Sequence, residues 1–212
     1  MNVKQMHTGI RLGVQKMDSA ELDDMLPQEI DYYLNKAVER FVNEQYNYLK
    51  NEERSLEGHF VNDNLRTIIH EDVLSTFPSN RYPNSVEATT FPSVSGKTYR
   101  KYISGRLSLD DHTKINLRYI QPKGIKSYLT TGENKPIFRE YPIIITDNIY
   151  VIGDSRRNLD GSENIEIEFL VDPVTIDLMN EINCDLPAHT HITIVDMAIQ
   201  EIIRDLRIGE GQ

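Results

Sequence analysis

The stretch INCDLPAHTHITIVDMAIQEIIRDL, residues 182–206, sets the only cysteine of the chain close to two histidines. Thiolate and imidazole are the usual zinc donors, so Cys184, His189 and His191 could supply three ligands of a tetrahedral site. Their spacings are irregular, unlike the paired C-x-x-C and H-x-x-x-H arrangements of structural zinc. A fourth ligand would have to come from a distant histidine such as His70 or His112. The plainer reading makes them residues on the approach to a helix, with Thr190 as its N-cap. That reading is preferred, and no metal ligand, cofactor-binding residue or catalytic residue is assigned.

Other chemistry-bearing patterns fall short in similar ways. FPSVSGKT, residues 91–98, resembles the end of a phosphate-binding loop, but such a loop needs glycine where Phe91 stands, a strand before it and a helix after it. Here prolines precede the stretch, and YRKYIS, which follows, reads as strand. No Gly-x-Ser-x-Gly nucleophile turn occurs. Asp110, Asp111 and His112 are immediate neighbours and read as a hairpin turn rather than a working dyad. Glu166 and Glu168 share a strand face as solvent-side residues. NLDGSEN, residues 158–164, lacks the ligand spacing and terminal glutamate of a calcium loop.

The elements that would position these residues are legible by period. Ile30, Leu34, Ala37, Val38, Phe41 and Val42 fall on one helical stripe, and Pro27, Glu29 and Asp31 suit the first turn, so a helix is expected over about 27–53. DSAELDDM before it can add a turn or two. A shorter helix is expected over about 62–75 after the Gly58 break, and another in PVTIDLMNEIN, residues 173–183. The apolar run from Ile194 to Leu206, with Arg204 and Arg207 at its end, predicts a helix over about 190–207. Between these lie alternating stretches: KTYRKYIS, TKINLRYIQP, a possible strand in SYLTTGENKPIFREY, the hairpin YPIIITDNIYVIGD turning at Asp147-Asn148, and NIEIEFLV. Pro142 is expected at the start of that hairpin or on a sheet edge.

Residues 76–97 carry three prolines and many hydroxyls, which predicts no regular element. Either an extended arm or a mobile surface loop fits, and as an arm it would use Phe77, Tyr82 and Phe91 as interface residues. The expected class is α+β, with N- and C-terminal amphipathic helices packed together and a small, mostly antiparallel sheet inserted between them. The expected divisions are a helical part at 1–75, the arm at 76–97, a β-rich subdomain at 98–172, and a C-terminal helical part at 173–212 packing on the first.

A chain of 212 residues buries enough surface to fold without disulfide or metal. One cysteine fits a reducing compartment, no targeting segment or membrane span is visible, and a soluble chain is expected. A net charge of -10 argues against tight nucleic-acid binding, which needs clustered Lys and Arg.

LPQEIDYYLNKAVERFVNEQYN, residues 26–47, resembles the opening helix of structural proteins from crAss-like tailed bacteriophages. LPAHTHITIVDMAIQEIIRDL, residues 186–206, is similar to their last helix, and the pair is loosely similar to head-to-tail adaptor proteins of short-tailed phages. The resemblance implies a non-enzymatic virion protein, a ring subunit of the portal–tail connector or tail. The expected partners are further copies in a homo-oligomeric ring, expected as a dodecamer, with the portal and neighbouring tail or ring proteins. DNA would pass through its channel unbound, no membrane is involved, and the ring would assemble in the host cytoplasm. The competing readings are a monomeric scaffolding or binding module and a metal-dependent hydrolase using the histidines.

Overall fold

Asn2 begins the first helix, α1 (Val3–Gln15), by accepting from the Gln5 N–H while the Gln5 side chain accepts from the Asn2 N–H. This reciprocal cap satisfies two main-chain donors that a helix start otherwise leaves bare. In the computed structural model, residues 1–16, 25–51, 63–82, 84–92, 94, 97–109, 113–124, 140–153 and 159–209 are described. The fold is α+β. By its internal contacts the chain divides into two units, Met1–Ile68 with Pro173–Gln212, and Ile69–Asp172.

The first unit is helical. Val3, Met6, Ile10 and Val14 form the buried stripe of α1, and α2 (Pro27–Asn51) buries Ile30, Leu34, Ala37, Val38, Phe41 and Val42. The last helix, α3 (His191–Gly209), buries Ile194, Val195, Ala198 and Ile202. Gly9 and Gly13 let α1 approach α3 closely: a Cβ at Gly13 would lie 2.3 Å from Ile199 Cδ1. Each fully buried isoleucine stabilises by about 1.5–3 kcal/mol, so the apolar seams dominate and the charges at their rims adjust register. No described helix is long and apolar enough to cross a membrane.

The second unit is a mixed sheet, eight-stranded among the described residues. Its strands are β1 (Ile69–Ser75), β2 (Phe77–Pro78), β3 (Ser85–Ala88), β4 (Tyr99–Ser108), β5 (Lys114–Tyr119), β6 (Glu140–Ile145), β7 (Ile149–Ile152) and β8 (Asn164–Val171). Their spatial order is β1-β8-β4-β5-β6-β7-β3-β2. β5 and β6 run parallel, and the other neighbours are antiparallel. The two ends of this order are consecutive in sequence, separated by Thr76 alone, so the sheet must curl until its ends meet. Register carries one buried face round the curl: Leu74, Ile165, Leu107 and Ile115 form one row, and Ile143, Val151 and Val86 another.

Several expectations are corrected. Residues 62–75 do not form a helix: 63–65 are helical, and Ile69–Ser75 is strand β1. Leu65, Ile68, Ile69 and Val73 follow the helical spacing, but pairing with β8 decides for strand, which buries Leu74 and leaves Val73 exposed. The 76–97 segment is not an arm throughout, because β2 and β3 lie within it. Ser85–Ala88 pairs with β7, burying Val86 and Ala88, and Pro78 sits at the sheet end, where a missing N–H costs nothing. Strand structure therefore begins at Ile69 rather than near 98. PVTIDLMNEIN is irregular, with an isolated bridge between Asp177 and Ile182. Thr190 does not cap α3; its hydroxyl donates to the Pro187 carbonyl within a single 3-10 turn. Pro142 pairs with Arg118 of β5, and the β6–β7 hairpin starts only at Ile143. The turn expected before Pro27, the Gly58 break and most of SYLTTGENKPIFREY lie outside the described residues.

Two glycines make the curl possible. A Cβ on Gly153 would lie 2.5 Å from the Asn84 carbonyl oxygen, and Gly161 (φ 90°) lies under Phe77 and Pro78, with Pro78 Cδ 2.6 Å from an added Cβ. Gly153→Ala and Gly161→Ala are each expected to lower unfolding free energy by about 1–3 kcal/mol, as overpacking against backbone does. Gly124→Ala, whose Cβ meets only Ile120 at 3.4 Å, is expected to be near neutral in the same urea titration.

Candidate functional site

Two of the polar side chains buried in the helical unit, His7 and Asp31, meet at α2. Asp31 accepts from His7 Nε2 at 2.7 Å and from the Leu178 N–H at 3.1 Å. One turn on, Asn35 accepts from the Ile176 N–H at 2.8 Å and donates to the Ile176 carbonyl at 2.9 Å. Two side chains spaced i, i+4 thus supply the hydrogen bonds that a helix over 173–183 would have made internally. Asp177 takes the Asn180 N–H and Glu181 adopts φ 54°, which completes a tight turn. His7 Nδ1 has no hydrogen-bond partner among the described residues, and Nε2 is the ring nitrogen that meets Asp31.

A second cluster joins α2 to α3. The buried carboxylate of Glu201 meets Lys36 Nζ at 2.7 Å, Arg204 at 3.0 Å and Arg40 at 3.3 Å. The Lys36 hydrogen bond, ahead of the charges around it, holds Glu201 below its ordinary carboxylate range. Glu201 likewise raises Lys36. Burial first, then Asp205, pushes the Tyr33 hydroxyl up. The Glu201 contribution is complete above the ordinary glutamate range and is lost as pH falls through the depressed value.

The residues first considered as zinc donors are all engaged with other groups. His191 Nε2 donates to the Leu186 carbonyl at 2.8 Å, and its Nδ1 lies 2.9 Å from both the amino nitrogen and the carbonyl oxygen of Met1. His189 Nε2 lies 2.8 Å from Asn64 Oδ1. Cys184 is buried, and burial pushes its thiol up to about 11. Among the described residues no three His, Cys, Asp or Glu side chains gather as metal ligands. His70 lies on β1 in the other unit, and Asp110, Asp111 and His112 lie outside the described residues. The stretch after Lys97 continues as strand β4, without the helix start that a phosphate loop requires.

The three arm aromatics separate. Phe77 and Tyr82 share the outer face of the sheet: register aligns Phe77, Glu87, Tyr150 and Ile144, and Tyr82 packs edge-on against Tyr150 at 5.3 Å. Arg81 stacks over both tyrosine rings. Phe77 stays 56% exposed. Phe91 turns instead to Tyr99, 5.5 Å away, which in turn contacts Phe169 of the inner face. Tyr82 and Phe91 therefore dock on their own chain. On β8, Glu166 pairs with Lys114 at 2.7 Å and Glu168 accepts from the Ser104 hydroxyl.

Scanned against protein-family models and curated proteins, the sequence matches none. The Asp31–His7–Asn35 group went unread in the sequence. Its signal is the polar pair at i, i+4 on the buried side of an amphipathic helix, together with a histidine among Met6 and Ile10.

Two measurements test these assignments. Asp31→Ala leaves the Leu178 N–H and His7 without their acceptor and is expected to cost about 3 kcal/mol in chemical denaturation. At pH 8 the Cys184 thiol is expected to react with an alkylating agent about a hundredfold more slowly in the native protein than in urea, because burial suppresses the thiolate.

Proposed function

We propose that this protein is a non-enzymatic structural subunit of a ring in the connector or tail of a tailed bacteriophage. Its terminal helices would form the helical body, with the β-rich unit inserted between them in sequence. The observation that carries this reading is where the two phage-like stretches lie. Residues 27–47 fall within α2, with Leu26 just before it, and residues 186–206 enter and fill most of α3; these helices are joined by apolar burial and by the Lys36/Arg40–Glu201 cluster. Both resembling segments lie in one packed unit, which is compatible with this reading.

The fate of the polar residues supports a contact role over a chemical one. Asp31, Asn35, His7, Glu201 and His191 each hold chain segments or helices in place. In this reading the ring forms by heterologous contact, one face of a copy against a different face of the next. The portal and neighbouring rings supply contacts above and below.

Native mass spectrometry and negative-stain imaging of the purified full-length chain, alone and mixed with assembled portal, are expected to show closed rings or stoichiometric addition to the portal. A chain that stays monomeric and joins no portal overturns the proposal. So does a hydrolytic turnover that disappears in His191→Ala.

A further inference from the structure

β1 stands at one end of the sheet order, with β8 on one side and, among the described residues, no strand on the other. The opposite end is β2, a pair of residues of which Pro78 has no N–H to offer. β2 pairs with β3 at Phe77↔Glu87 and Pro78↔Val86. Carried back along the chain, that register would set Ser75 against Thr89 and Val73 against Phe91, but no such pairs form, and Phe91 stacks on Tyr99 instead. The curled sheet is therefore closed at β2 and open along β1.

The hydrogen-bonding side of that opening can be assigned. The Leu109 N–H donates to the Thr113 carbonyl at 3.0 Å, so by alternation Arg106 turns to β8 and Glu166 to β4. Val73, opposite Glu166, turns away from β8, and its N–H donates to Asp72 Oδ1 at 2.8 Å. In an antiparallel ladder the N–H and C=O of one residue point the same way, and successive residues alternate. Ile69, Glu71, Val73 and Ser75 consequently turn their main-chain groups to the free side. Glu71, Val73 and Ser75 are exposed, Val73 at 63%.

The charge beside this edge is one-sided. Glu71 faces Glu168 across the β1–β8 ladder. Theirs is the closer kind of antiparallel pairing, where like charges destabilise. Among the described residues no cation contacts Glu71, Asp72 or Glu168, whereas Glu166 nearby has Lys114. Pairing β1 with the β1 of a second copy would bring these acids against each other.

We propose that the free edge of β1 binds an extended, basic strand of another protein, adding one strand to the sheet. A carbonyl of the incoming strand takes the Val73 N–H from Asp72, and its lysines or arginines, at alternate positions, lie on the face that carries Glu71 and meet its carboxylate. Until then Asp72 guards the edge, as inward or capping charges do on natural sheet edges. This inference stands apart from the ring assignment.

The test uses the full-length protein and three short synthetic peptides. One alternates lysine with valine, one alternates glutamate with valine, and one is the lysine peptide N-methylated at alternate amides. Calorimetry and amide exchange by NMR are the readouts. The lysine peptide is expected to bind and to slow exchange at the Glu71 and Val73 amides, and N-methylation is expected to remove both effects. Glu71→Lys, a surface change that leaves the fold intact, is expected to weaken the lysine peptide about fivefold and strengthen the glutamate peptide. Equal affinity for the two charged peptides, or protection confined to other strands, overturns the proposal. Slowing of the Glu71 and Val73 amides by raising the protein's own concentration overturns it too, because a second copy would then be the occupant.

Discussion

Thr76 is the only residue between the first strand of the sheet order and the last, and that topological constraint governs the β-rich unit. A chain that leaves β8's neighbour and arrives at once beside β3 can do so only if the sheet bends through its whole width. Bending requires close approach where the ends meet, which is why Gly153 and Gly161 sit against backbone that no Cβ could clear. It also gives the unit two distinct faces. The inner face carries the two apolar rows, while the outer face mixes charged residues with the small cluster of Ile144, Tyr150 and Ile152 under Tyr82.

The helical unit solves a different problem. Apolar stripes on α1, α2 and α3 provide the driving force, but they leave 173–183 without secondary structure of its own. Asp31 and Asn35 satisfy that segment's main chain from the side, at a position where an aliphatic residue would have left buried N–H groups bare. A carboxylate that also orients His7 ties α1 to the same point. Polar residues in this core therefore do structural work that apolar packing cannot.

What the sequence disclosed follows from which forces act locally. α2 and α3 were legible because their stripes run for many turns, and the β6–β7 hairpin and β8 because alternation and turn residues agree. α1 was missed although its Asn2–Gln5 capping box is written in plain residues, since two glycines and a histidine dilute its stripe. β1 and β3 were missed because their strand state is decided by partners far away in sequence, β8 and β7. The parallel pairing of β5 with β6 has no local signal at all. Of the residues weighed as interface, Phe77 alone is exposed, and the sequence could not tell it from Tyr82 and Phe91, which find rings on their own chain.

The same contrast separates chemistry from contact. A catalytic group needs a polar side chain whose hydrogen-bonding capacity is left over for a substrate. In the helical unit the candidates spend theirs on the fold: His191 on Leu186 and Met1, Asp31 on Leu178 and His7, Glu201 on three cations. Capacity remains instead in the main chain of β1, where Glu71 and Ser75 face away from β8 and, among the described residues, no cation contacts Glu71. Main-chain groups held in a strand recognise another strand and cannot shuttle protons or attack bonds. Unspent polarity of that kind is what the strand addition proposed for β1 would use.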